Sequence, residues 1–423
     1  MNRKLSKYFT ILLLGAAALF PTSSRADDNA VKDEYLGLSL GLLQAKISNA
    51  TGNFVLSPFS VYMATDLLAN GADGQTLEKL QKMILSPRHN LSVADINQDL
   101  GKYMQNISPA VKINNSVWGN QFKPEYIKTV EALAAEAHDL PQNTQVINDW
   151  VSEKTEGKIK DIVPLTTPAP DDLYLVNTVY FNDKWANTFD IKETEVKPFY
   201  NLEDKQPTDI YMMHKHYMEY SQYYENEQFQ AVRLWYESYS IPKEGVDTQS
   251  LEATTDFNNS IDYPANYIDL ILPKRNVDFK GFVRNLRMQN IKIPYGKYDD
   301  VELDLYLPRF EIDYKTPLKQ WFRAGGIPLS RDDEGVDFSA MSDAPHYVSN
   351  IIHQANIRVD EKGTEAAAAT AIMVATYGIS RSPKPKVLQH KIFNADRPFI
   401  FVINDGLFIG AFIKGMKLEP SDR

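Results

Sequence analysis

Cysteine is absent from all 423 residues. That absence excludes disulfide bonds, thiolate metal ligation, a cysteine nucleophile and a lipid joined through cysteine. It does not argue against export, because a chain of this length can bury a core large enough to fold without covalent staples. Positive charge is in deficit as well: 45 Lys and Arg stand against 55 Asp and Glu, a formal net charge of −10. No basic stripe offsets it, so neither nucleic acid nor an anionic membrane is an expected partner. Also missing are a phosphate loop, a dinucleotide fingerprint, a G-x-S-x-G elbow and an H-E-x-x-H pair, which removes the usual signs of an enzyme. His214-Lys215-His216 puts two imidazoles on one face of a strand, but the sequence places no third ligand with them. No metal or cofactor is expected.

Long apolar runs are missing everywhere except near the start. There Arg3, Lys4 and Lys7 precede about a dozen apolar residues, and Ser24-Arg25-Ala26 supplies small residues at the two positions a signal peptidase reads. The run is shorter than the roughly 20 residues a permanent span needs. Residues 1–26 therefore read as a removed secretory signal, leaving 27–423 as one domain in a secreted or periplasmic protein. Removal also takes away four basic residues and makes the chain four charges more acidic. No linker or repeat divides the remainder.

Apolar spacing predicts a helix over 33–49, with Leu36, Leu40, Leu43 and Ile47 on one side. A second helix begins after Ser57, a good cap, with Pro58 in its first position. Further helical stretches run to about residue 165. Beyond 170 the period shortens to two, and strands are predicted at 174–181, 230–236, 267–272, 301–306, 310–314, 351–359 and twice between 399 and 413. Helices first and strands later indicate an α+β fold. The acidic, Asn- and Pro-rich stretch 237–265 reads as a solvated loop.

One segment resists an ordinary reading: Glu361-Lys362-Gly363-Thr364-Glu365-Ala366-Ala367-Ala368-Ala369, continuing to Tyr377-Gly378. Its alanines favour a helix, yet it has no amphipathic stripe and follows directly on a strand-like run. Read with period two, Thr364, Ala366, Ala368, Thr370, Ile372 and Val374 form one charge-free face. That face could be buried in a sheet without stranding an ion, which would cost several kcal/mol. The segment is suited to be either an exposed loop or a buried strand.

This run resembles the hinge of the inhibitory serpins, in which an acidic residue, a polar residue, Gly and Thr precede small residues. Other landmarks are similar to serpin signatures and occur in serpin order over some 350 residues. They include Asn53 with Ser57-Pro58-Phe59-Ser60, Asn148-Asp149-Trp150, Val176-Asn177-Thr178-Val179-Tyr180-Phe181 with Trp185, Leu307-Pro308-Arg309-Phe310, Asp337-Phe338-Ser339 and Asp396-Arg397-Pro398-Phe399. The chain departs from the pattern at Pro328-Leu329-Ser330, in about 25 extra residues near 237–265, and in a long stretch from Tyr377 to Phe393.

The resemblance implies three mixed or antiparallel sheets, eight or nine helices and an exposed reactive loop. It implies a monomeric suicide-substrate inhibitor of serine proteases, extending to cysteine proteases, that needs no cofactor and catalyses nothing. Ser57, Ser60, Asn177 and His353 would form a polar lock under the sheet centre, and Trp185 would stand where the loop enters. Counting fourteen residues from Gly363 puts the scissile bond at Tyr377–Gly378, suited to a chymotrypsin-like or subtilisin-like protease. Arg381 is the alternative, suited to a trypsin-like one. The competing reading is a non-inhibitory serpin acting as carrier, chaperone or storage protein; such members usually carry bulky or charged hinge residues, unlike Ala366–Ala369.

Overall fold

The computed structural model describes residues 30–84, 92–204, 206–237, 239–242, 260–263, 266–291, 293, 297–364 and 388–416. In chain order its strands are β1 (Phe54–Leu56), β2 (Val111–Gly119), β3 (Glu136–Asp139), β4 (Asp172–Phe181), β5 (Asp183–Lys184) and β6 (Glu195–Phe199), then β7 (Thr208–Glu225), β8 (Phe229–Trp235), β9 (Tyr239–Pro242), β10 (Ser260–Tyr263), β11 (Tyr267–Pro273) and β12 (Asp299–Pro308), then β13 (Phe310–Pro317), β14 (Tyr347–Val359), β15 (Gly363–Thr364), β16 (Gln389–Asn394), β17 (Phe399–Ile403) and β18 (Phe408–Phe412). Nine α-helical segments accompany them among the described residues, and none of these helices is long and apolar enough to cross a membrane.

The strands form three sheets. The largest runs β1-β18-β17-β11-β8-β7-β12-β16, with β6 also paired to β7. The second runs β3-β2-β4-β14-β15-β5, with β13 along β14. The third is the hairpin β9–β10, paired antiparallel with Ile261 opposite Ile241. The stretch 237–265 is thus not loop throughout, because its ends zip together.

Local chemistry explains the main elements. Ser57 caps the helix Pro58–Gly71 by accepting from the Ser60 N–H at 3.2 Å, with proline inside the first turn. All of that helix except Asn70 is buried, so it forms part of the core rather than the surface. In β12 the alternation Val301, Leu303, Leu305, Leu307 is buried on one face, as a strand with one covered side requires. The helical stretches expected before residue 165 are accompanied by strands not predicted there, β1, β2 and β3. The run Val-Lys-Ile-Asn-Asn-Ser-Val-Trp mixes polar and apolar residues, so only its pairing with β4 settles it as a strand.

Candidate functional site

β4 and β14 lie side by side and parallel, Asp172 opposite Tyr347 through Tyr180 opposite Asn356. Above that seam the second sheet parts. β14 ends at Val359, and Asp360 turns the chain by accepting from Lys362 N at 2.8 Å and Gly363 N at 3.3 Å through Oδ1. β15 then enters the gap, antiparallel to β14 on one side and to β5 on the other. Thr364 sits between Val359 and Asp183, fully buried, with its hydroxyl 2.6 Å from the Tyr236 hydroxyl. Gly363 is required for the entry. A Cβ there would lie 2.1 Å from the Asp183 carbonyl oxygen and 2.6 Å from Lys184 Cα, and backbone cannot yield as a flexible side chain does.

The turn is held from outside by the segment that follows β5. Trp185 donates from its backbone to Lys362 O at 2.9 Å and from Nε1 to Asp360 O at 2.8 Å. Phe189 N donates to Glu361 O at 2.8 Å. Trp185 also stacks on Tyr236, ring centroids 4.4 Å apart. The Glu361 carboxylate is buried and accepts from the Thr194 hydroxyl at 2.6 Å and from Arg309. Burial works to raise its pKa, but Arg309 and Thr194 prevail and hold it below the ordinary carboxylate range.

Lower in the seam lies the polar cluster. His353 and Asn177 are register partners on β14 and β4. The Ser57 N–H can only donate, so it bonds His353 Nε2 at 3.0 Å and leaves the imidazole proton on Nδ1, which donates to Asn177 Oδ1 at 2.6 Å. Burial depresses this histidine from about 6.5 to about 3, so it is neutral at physiological pH. Asn177 passes the chain on by donating to Asn115 Oδ1. Ser57, Asn177 and His353 are therefore brought together. Ser60 is adjacent through its backbone N–H, while its buried hydroxyl has no hydrogen-bond partner among the described residues.

Sequence reasoning missed Asn115, Tyr236, Asp183 and Thr194. Each of these is fixed only by tertiary contact. Glu365, Ala366–Ala369, Tyr377, Gly378 and Arg381 lie outside the described residues.

Three kinds of comparison agree on what this arrangement resembles. The family model described as Serpin (serine protease inhibitor) matches residues 36–414. An uncharacterized serpin-like protein of Methanosarcina mazei is 29% identical over 385 residues, 86% of this chain and 80% of that protein. Leukocyte elastase inhibitor of Xenopus laevis is 26% identical across 86% of this chain and 94% of its own. The native state of the thermophilic serpin tengpin superposes with a TM-score of 0.70 at 23% identity, covering 95% of this chain and 98% of that one. Human thyroxine-binding globulin superposes with the same score at 20% identity, covering 92% and 99%. Serpins of both inhibitory and ligand-carrying name thus share the fold. The chain belongs to the serpin family.

Proposed function

We propose that the chain is an exported suicide-substrate inhibitor of serine proteases, cleaved at Tyr377–Gly378. The observation that carries this is Thr364, seated at the mouth of a parallel seam. A strand continuing from it would run antiparallel to both β14 and β4, replacing one parallel ladder by two antiparallel ones, which pair slightly better per residue.

The register of that strand can be extended by arithmetic. Thr364 opposes Val359, so each residue further along opposes one residue earlier on β14. Ala366, Ala368, Thr370 and Ile372 then face Ile357, Ala355, His353 and Ile351, all buried. On insertion the charge-free face would enter the core, and Thr370 would bring a hydroxyl to the His353 cluster. Glu365 falls opposite Arg358, an opposite-charge pair. Tyr377 falls opposite His346, one position beyond the end of β14 at Tyr347. Complete insertion therefore ends at Tyr377. An attachment at Arg381 would leave four residues over, roughly 13 Å of slack.

In the reaction the protease serine attacks the Tyr377 carbonyl, the bond to Gly378 breaks, and the new amine leaves with the proton. The ester persists because insertion drags the protease away and distorts its active site, and deacylation tolerates little misplacement. Incubation with chymotrypsin-like, subtilisin-like and trypsin-like enzymes tests this. The expected result is a covalent complex stable on a denaturing gel, with a released fragment beginning at Gly378 by mass spectrometry. Clean cleavage without complex would sink the inhibitor reading; a fragment beginning at Ser382 would move the bond to Arg381.

A further inference from the structure

Away from the seam, β7 carries His214 and His216 on one face, ring centroids 3.6 Å apart. Sequence alone offers them no third ligand. The fold supplies one: the 3-10 turn Ile191–Glu193 brings Glu193 against them, so that one ligand atom from each of the three lies within 4.8 Å of the others. We infer that Glu193, His214 and His216 form a divalent-cation site of zinc type, and that its occupation braces the segment holding the hinge turn.

Two imidazoles and one carboxylate with open positions are a donor set for zinc and its borderline neighbours. Ligand atoms about 2.1 Å from a tetrahedral zinc sit roughly 3.4 Å apart, so small side-chain rotations close the site. The two nitrogens of His216 face different carboxylates: Nε2 lies 3.9 Å from Glu193 Oε2, and Nδ1 lies 3.8 Å from Asp304 Oδ1. Neither is a hydrogen bond, but a small rotation would let one nitrogen bind the metal while the other approaches Asp304, the second carboxylate that commonly orients a ligating ring. His214 is 6% exposed, stacks on Tyr306, and its buried Nε2 has no hydrogen-bond partner among the described residues. An orphaned buried polar atom is costly to the fold, and a metal bond would remove that cost. The nearest cation on β6, Lys197, is paired with Glu195 at 3.0 Å. Lys215 points to the Thr188 carbonyl at 2.7 Å.

The connection to the hinge is short. Glu193 is followed by Thr194, which donates to Glu361, and the same segment reaches the turn through Phe189 and Trp185. Lys215 already ties β7 to this segment at Thr188. A cation would add a second tie beside it.

Titration of the metal-free chain with zinc chloride in a calorimeter tests the site. One equivalent should bind, and His216→Ala and Glu193→Gln, both at exposed positions, should each weaken binding at least tenfold. Binding unchanged in both variants, or absent from the parent chain, overturns the site. Hydrogen exchange at 361–364 tests the coupling: zinc should slow it severalfold in the parent and not in His216→Ala. Binding with unchanged exchange would overturn the bracing. Neither readout requires a protease, so failure here is distinct from failure of the inhibitor reading.

Discussion

At the residue scale the decisive position is Thr364. Its side chain is fully buried against Tyr236 before any cleavage. Thr364→Arg would place an unpaired charge there, at a cost of several kcal/mol. The variant is expected to be cleaved as a substrate, with the yield of covalent complex falling at least tenfold; complex formation at parental stoichiometry would refute the strand reading. Two buried ionisable groups set a second expectation. Asp66, fully buried in the helix Pro58–Gly71, is raised by burial to about 8 and is protonated at neutral pH. The folded state keeps this proton after the unfolded chain has released its own, so the stabilisation it brings falls away as pH rises from about 4 to 8. His353, depressed to about 3, acts oppositely: the folded state refuses a proton that the unfolded chain takes up below about 6.5. The two slopes oppose each other between about 4 and 6.5. From pH 6.5 to 8 only Asp66 acts, and it should remove roughly 2 kcal/mol of stability. Urea melts at pH 6.5 and 8 should show this loss, and Asp66→Asn should abolish it.

At the element scale, the seam between β4 and β14 is the part that the proposed inhibition would change. It is closed by one parallel ladder and by the His353–Asn177 bond across it, and β15 stands at its open end. On the proposed mechanism, cleavage of the loop would free that strand to add along the whole seam. A calorimetric scan should place the cleaved form tens of degrees above the intact one, since a new ladder and its buried side chains are large against ordinary net stability. Equal midpoints would count against insertion. Most strand positions are readable from period two, and β14 was anticipated at 351–359 but begins at Tyr347. Its early residues, Tyr347 to Asn350, alternate too weakly to announce themselves, and pairing with β4 extends it.

At the scale of the whole molecule, the hairpin β9–β10 projects from between β8 and β11, two strands of the largest sheet that pair directly. Because Trp235 already opposes Tyr267, the sheet does not depend on what lies between them. Deleting 243–259 and closing the hairpin with a short turn should leave the rate of protease complex formation within about twofold of the parent. A collapse in that rate would show the insertion to be an accessory contact for the protease.

The sequence by itself determined what depends on near neighbours along the chain: the Ser57-Pro58 helix start, the period-two strands, the acidic balance, and a small-residue run after Gly363 with one charge-free alternate face. Order of motifs also made the family legible, because each signature keeps its place along the chain. Only the tertiary structure decided which residues meet. Asn115 reaches Asn177 from a strand 62 positions away, Thr194 reaches Glu361 across 167, and Glu193, on a 3-10 turn, is brought against two histidines of β7. Such contacts leave no local trace, because a threonine or glutamate on a surface turn has the same neighbours in sequence whether or not the fold brings a partner to it. Burial then gives these meetings their chemistry: it holds His353 neutral, and it works against the charge of Glu361, which Arg309 and Thr194 keep ionised; burial is a property of the assembled core rather than of any segment.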